Sequence, residues 1–298
     1  MKDFDLSITI CSWNTLADTR ACLESLDIVR HEGNVEVIVV DNGSADGSPD
    51  MIRSFDFVRL IALDENLGFT GGHNRAIAEA KGRHVMLLNS DTVMHPGSVS
   101  GLLEAIREHP EAGIFGAKLL NPDGSLQYSC RRFPNPIAAL FRNTPLGKLF
   151  PNNRFTREYL MQDFAHDEMS EVDWVSGAAL VVTEPCLAKV KGLDPEFFMF
   201  CEDVDICWRA KEHGFKTLYV PNAVITHKIG GSTSQVANKM IVRFHKSMFM
   251  FFRKHQVGQV VWVLRPLALA GAAAALSLRA SLYLTKNLWD SVRWKQHR

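Results

Sequence analysis

The sequence predicts an α/β fold: an open, mostly parallel sheet flanked by helices. Three observations carry that expectation. Apolar, β-branched runs recur at LSITIC (6–11), EVIVVDNGS (36–44) and HVMLLNSD (84–91), long enough for buried strands and too short for helices. The stretches between them have helical spacing, so strand and helix alternate. The polar residues Asn14, Asp41, Asn66 and Asp91 fall at or just after strand ends, and ligands of open α/β sheets bind beyond the carboxyl ends of the strands.

In chain order, residues 6–11 are a strand covered on both faces, and 16–30 repeat apolar positions near every 3.6 residues, a helix. The second strand closes on Asp-Asn-Gly, a turn signal. A helix over about 48–55 and a strand at 57–62 follow. NLGFTGGHNRAIAEA is a glycine-rich loop entering a helix, where Gly68, Gly71 and Gly72 permit close backbone approach and Asn74 stands at the helix start. Residues 84–91 are a strand with acid at its carboxyl end. Residues 114–182 are less regular, punctuated by Pro134, Pro136, Pro145 and Pro151, until DWVSGAALVV (173–182) returns to strand. FKTLYVPNAVITH is another strand. From Asn238 onward the chain reads as wholly helical, giving a domain over 1–236 and a C-terminal helical segment over 237–298.

Thirty-three basic and thirty-three acidic side chains cancel, so no global field favours a nucleic-acid partner. The six cysteines have no CxxC spacing, which argues against a zinc site and a disulfide framework and for a reducing compartment. Cys11 and Cys186 read as small core residues. MKDFDLSITI enters a strand without the apolar stretch of a signal peptide, so a cytoplasmic location is expected. NKMIVRFHKSMFMFFRKHQ (238–256) suits an interfacial helix on anionic lipid. VVWVLRPLALAGAAAALSLRASLYL is the most apolar stretch. Between Arg265 and Arg279 it is shorter than the ~20 residues of a clean span, so a monotopic anchor on the cytoplasmic face is expected. The other reading is a helix packed on the domain.

FFMFCEDVDICWR (197–209) sets Glu202, Asp203 and Asp205 behind an aromatic wall. Carboxylates beside apolar surface are costly unless paired, metal-bound or used in chemistry. A helix start, whose dipole favours acids, explains them equally well, and the two readings are compatible. Asp205 and Arg209, at i and i+4, suit a supporting ion pair.

SWN (12–14), VDNGSADGS (40–48), NLGFTGGHN (66–74), LLNSD (87–91), WVSGA (174–178), FCED (200–203) and THKIGGS (226–232) occur in one order. Together they resemble the inverting family-2 glycosyltransferases of the GT-A fold, in the rhamnosyltransferase-like branch that builds bacterial surface polysaccharide. The resemblance covers residues 6–255. It implies a nucleoside-diphosphate sugar of the uridine or thymidine type as donor and a saccharide or polyprenyl-diphosphate-linked acceptor. Asp203 would be the general base and Glu202 would orient the acceptor. Asn14, Asp41, Asn66, Gly68, Asn74, Asn89 and Lys228 would contact the donor, with the Gly230, Gly231, Ser232 turn over the diphosphate. Trp174, Ser176 and Gly177 would line the acceptor or sugar pocket, although Trp174 suits a core nearly as well. Asp91 and His227 would hold Mg²⁺ or Mn²⁺. Asn89 departs from the family's two-acid metal motif, which weakens affinity for the cation. A sugar-nucleotide pyrophosphorylase is the second enzyme class, but SWNTLAD is neither basic nor glycine-rich. A non-catalytic membrane-bound nucleotide-sugar binder is the third.

Overall fold

The computed structural model describes residues 2–135, 138, 141, 145–228 and 236–296. The first half runs β1 (Phe4–Ser12), α1 (Leu16–Val29), β2 (Val35–Asp41), α2 (Ser48–Arg53), β3 (Val58–Ala62), α3 (Gly68–Glu79), β4 (Gly82–Asn89), β5 (Thr92–Met94) and α4 (Ser98–Glu108). The middle contains β6 (Ala112–Leu120), β7 (Leu126–Gln127), β8 (Cys130–Arg131), α5 (Pro145–Leu149), α6 (Arg154–Leu160), β9 (Ser170–Val172), β10 (Trp174–Val175) and β11 (Ala179–Val182). Then come α7 (Glu184–Val190), α8 (Glu202–Glu212), β12 (Lys216–His227), α9 (Ala237–Phe251) and α10 (Arg265–Gln296).

One sheet has the order β3-β2-β1-β4-β11-β6-β12-β5. Its first four strands are parallel, as expected. The remainder is mixed: β11 is antiparallel to β4 and β6, and β5 is antiparallel to β12. Alternate side chains of β4 enter different cores. Met86 and Leu88 join the α1 and α4 side, while Val85 and Leu87 join the α7 and α8 side. Burial on both faces is why these strands lack polar alternation.

The 173–182 run divides into β10 and β11 at Ser176, where Ala179 N–H donates to Ser176 O at 3.3 Å. β12 shifts register against β6 between Val220 and Val224. Pro221 lies there and has no N–H for the ladder. The expected single helical run after residue 238 is interrupted by irregular turns between α9 and α10. α9 does not stand apart from the body. Phe251 is buried in the core beside Trp208, with ring centroids 5.7 Å apart.

α10 exposes Leu267, Leu278, Leu282, Leu288 and Trp289. The helical stretch Trp262–Trp289, 28 residues, is long and apolar enough to cross a membrane by length and composition. The shorter sequence estimate stopped at Arg279, but the helix continues past it. Its far end returns to the body: Asn287 Nδ2 donates to Asn238 Oδ1 at 2.6 Å, and the Tyr283 ring lies 5.9 Å from His245.

Candidate active site

Parallel pairing brings the polar strand ends to one edge, with Ser12 opposite Asp41 and Cys11 opposite Asn89. Asn14, at φ 50°, donates its N–H to Ser44 Oγ at 2.9 Å and accepts Ala45 N–H at 2.8 Å. Asp41 Oδ2 accepts Ser44 N–H at 2.8 Å. Asp41 Oδ1 is buried and has no hydrogen-bond partner among the described residues. A buried acceptor in that state calls for a donor.

The glycine-rich segment begins with a turn in which Asn66 Oδ1 accepts Gly68 N–H at 2.8 Å. Gly68 has φ +78°, and a Cβ there would lie 2.4 Å from Phe198 O, so this position requires glycine. Asn42 Nδ2 donates to Gly68 O at 3.0 Å and to Cys11 Sγ at 2.9 Å. Burial pushes the Cys11 thiol up to about 12, as suits a core residue. Asn74 corrects the sequence expectation. Its Nδ2 donates to Leu193 O at 2.8 Å and its Oδ1 accepts Leu193 N–H at 2.9 Å. Asn74 lies within α3 and not at its start, and these two bonds staple α3 to the loop before the acidic cluster.

His227 ends β12 opposite Thr92 of β5, which brings its ring to the Asn89-Ser90-Asp91 corner. Its Nε2 lies 3.3 Å from Asp91 Oδ1 and 3.2 Å from Asn89 Nδ2. Its Nδ1 lies 2.7 Å from Gln127 Oε1, while Gln127 Nε2 donates to His227 O at 3.2 Å. That second bond fixes the amide orientation, so Oε1 faces the ring and accepts the Nδ1 proton. Neutral His227 therefore carries its lone pair on Nε2, toward Asp91. An outer partner that fixes the tautomer in this way is a recurring feature of metal-binding histidines. One carboxylate and one imidazole fit a divalent cation of the Mg²⁺ or Mn²⁺ kind, with the imidazole favouring Mn²⁺. Among the described residues no group of three or more His, Cys, Asp or Glu converges, so a donor diphosphate would have to complete the shell. Gln127 escaped the sequence reading because an isolated Gln in an irregular region carries no signal.

Lys228 Nζ bonds Asp18 Oδ1 at 2.9 Å, tying the end of β12 to α1. That ion pair and hydrogen bond raise its pKa. Its ammonium is engaged by Asp18. The Gly230, Gly231, Ser232 turn and Pro136 lie outside the described residues.

The acids open α8. Phe200 (φ 70°) and Cys201 (φ 65°) are consecutive left-handed, non-glycine residues immediately before Glu202. This backbone is costly for such side chains and aims the next two residues. Asp203 is partly exposed. Its Oδ2 accepts Gly177 N–H at 3.1 Å and its Oδ1 accepts Val204 N–H at 2.8 Å. Burial raises its pKa, opposed by those two N–H groups. Glu202 is 6% exposed, and its Oε2 has no hydrogen-bond partner among the described residues. Burial, then the Asp203 charge, push it well above the ordinary carboxyl value. Asp205 is fully buried and bonds Arg209 Nε at 2.7 Å, the supporting pair expected from i, i+4 spacing.

Gly177 and Ser176 lie at the turn between β10 and β11, and a Cβ on Gly177 would stand 3.3 Å from Asp203 Cβ. Trp174 is a correction to the expected sugar pocket. It is 6% exposed in the core, with its indole N–H donated to Arg132 O at 2.8 Å. The two chemical centres are linked through this turn. Asp203 holds Gly177 N–H, and the next residue, Ala178, accepts Asn89 N–H at 3.0 Å.

Residues 4–244 match the family described as Glycosyltransferase like family 2. The chain is 33% identical over 280 residues to an N-acetylglucosaminyl-diphospho-decaprenol L-rhamnosyltransferase of Mycobacterium tuberculosis, covering 89% of this chain and 88% of that protein. It is 25% identical over 199 residues to the rhamnosyltransferase WbbL of Escherichia coli K12, covering 64% and 72%. A solved mannosyltransferase from Pyrobaculum calidifontis, in complex with GDP-Man and Mn²⁺, superposes with a TM-score of 0.56 at 16% identity, covering 97% of this chain and 81% of that one.

Proposed function

The chain belongs to the glycosyltransferase-like family 2, and from that premise we propose that it transfers a deoxyhexose of the rhamnose kind from a nucleoside-diphosphate donor to a hydroxyl of a polyprenyl-diphosphate-linked saccharide, with inversion. The supporting observation is the short path between two centres: Asp203 on Gly177, and Ala178 on Asn89 beside Asp91 and His227. The substrate class rests on the mycobacterial and enterobacterial relatives.

Asp41 Oδ1 receives the ring N–H of a uracil or thymine, with Asn14 and Asn66 shaping the turns around it. Asp91 and His227 would hold the divalent cation, which would supply charge neutralisation for the departing diphosphate. Asp203 takes the acceptor hydroxyl proton while the acceptor oxygen bonds the anomeric carbon and the bond from that carbon to the diphosphate oxygen breaks. A base raised by burial is better matched to this proton transfer than an ordinary aspartate, and general-base catalysis contributes about 10²–10⁴-fold. Glu202, whose carboxyl burial pushes well above its ordinary value, orients the acceptor.

The exposed apolar C-terminal helix supports a membrane-surface position for this chemistry, which we assign to the cytoplasmic face. We favour a helix lying on the surface, because a span would separate Asn287 from Asn238 and Tyr283 from His245. The exposed apolar side chains of α10 suit the acyl boundary and the basic residues suit anionic headgroups. The test is incubation of the full chain on vesicles with a labelled nucleoside-diphosphate sugar and a polyprenyl-diphosphate saccharide. Label is expected on the lipid with inverted anomeric configuration, and not after chelation. Label that stays on the nucleotide, or a retained configuration, contradicts the reading.

A further inference from the structure

We propose that α9 and the turn after it belong to the catalytic apparatus, with His255 as the positioning residue that holds the Glu202–Asp203 pair through Asp205. The proposal rests on Asp203 being the base.

Asp205 is a buried node. One carboxylate oxygen takes Arg209 Nε, and the other takes His255 Nε2 at 2.7 Å. A carboxylate only accepts, so the His255 proton sits on Nε2. Arg209 also donates to Val190 O at 2.6 Å and Gly192 O at 3.0 Å, fixing α8 to the end of α7. His255 is itself wedged between Trp208 and Phe251, at ring distances of 5.4 and 5.0 Å.

The same C-terminal stretch grips the loop leading to the acids at five further points. Arg253 pairs with Glu196 at 3.0 Å, and Lys254 pairs with Asp194. Ser247 Oγ donates to Met199 O at 2.9 Å. Arg243 lies 3.7 Å over the Phe198 ring, and Phe244 meets Phe200 edge-on at 5.5 Å. These contacts surround Phe200 and Cys201, whose left-handed backbone would relax to a commoner conformation if nothing held it. Asp205 N–H bonds Cys201 O at 2.8 Å, so the node and the strained entry share the first turn of α8. Loosening the node lets that turn rotate. The bond from Asp203 Oδ2 to Gly177 N–H is then lost, and the base leaves the line of attack.

The experiment uses the full chain on vesicles, with His255→Ala, His255→Gln, Asp203→Asn and the His255→Ala/Asp203→Asn double variant. Turnover at saturating substrates, donor Kd and melting temperature are measured for each. His255→Ala is expected to lower turnover by about tenfold or more with donor Kd unchanged, because small misplacements of a reacting group cost about that much or more. His255→Gln, which keeps a donor toward Asp205, is expected to recover most of the rate. In the Asp203→Asn background His255→Ala is expected to cost little further, since groups acting as one unit are non-additive. Normal turnover in His255→Ala, an equal loss in His255→Gln, or a full additional loss in the double variant overturns the proposal. If His255→Ala does not fold, the Gln variant carries the test. An active Asp203→Asn overturns the base assignment instead, and so separates the two failures.

Discussion

Glu202 and Asp203 are neighbouring carboxyls raised in the same direction by the same first cause, burial, and they differ in what they touch. Asp203 keeps two N–H donors and a face to solvent, whereas Glu202 keeps a buried oxygen without a partner among the described residues. Both bind a proton more tightly when folded than when unfolded. Stability is therefore full below the ordinary carboxyl pKa of about 4, and falls as pH rises from there through the raised values. Glu202→Gln is expected to raise the melting temperature at neutral pH and to leave it unchanged near about pH 4, while lowering turnover less than Asp203→Asn does. A lower melting temperature at neutral pH would show that the carboxylate stabilises the fold. The rate should fall as the medium is acidified through the raised Asp203 pKa, since the base acts when unprotonated. The acids were legible in the sequence because three carboxyls behind an aromatic run are hard to bury without purpose. Asn74 lies inside α3, and its amide bonds Leu193, 119 residues away, a partner that local sequence spacing does not reveal.

At the scale of elements, β1, β2 and β4 were readable because burial on both faces leaves an unbroken apolar run. The division of 173–182 was not, because Ser176 N–H is held by Ser129 O of a distant segment at 2.7 Å; the register shift of β12 coincides with Pro221, which has no N–H for the ladder. The α3 staple is worth testing. Asn74→Ala leaves the Leu193 N–H and C=O without partners, at a cost of about 1–3 kcal/mol if they stay buried. The loss should appear in chemical denaturation, with donor affinity little changed. Weakened donor binding at unchanged stability would restore Asn74 to the nucleotide site. Gln127 orients His227 from a two-residue strand. Gln127→Ala is expected to weaken Mn²⁺ binding by about 10–100-fold, read by calorimetry in the presence of donor nucleotide. Unchanged affinity would remove Gln127 from the metal site.

On the scale of the whole molecule, the sequence marked residue 237 as a boundary because composition changes there. Contacts of Phe251, Ser247 and His255 pack α9 and the turn after it on the α/β body, and α10 is the exposed apolar helix. Composition could not reveal this, since the bonds of Ser247 and His255 depend on where α8 folds. Removal of residues 257–298 keeps His255 and α9, so the shortened chain is expected to melt cooperatively and move from the vesicle pellet to the supernatant. Removal from residue 237 also takes Phe251 and the node on Asp205, and is expected to lose the cooperative melt. A chain ending at residue 256 that still sediments with vesicles would contradict the anchor. The measurement that bears most directly on the chemistry is the pair of turnover and donor Kd in Asp203→Asn, which keeps shape and removes basicity. Turnover lowered by about 10²-fold or more, with donor Kd essentially unchanged, is the expected result; near-normal turnover would contradict the assignment of Asp203 as the base.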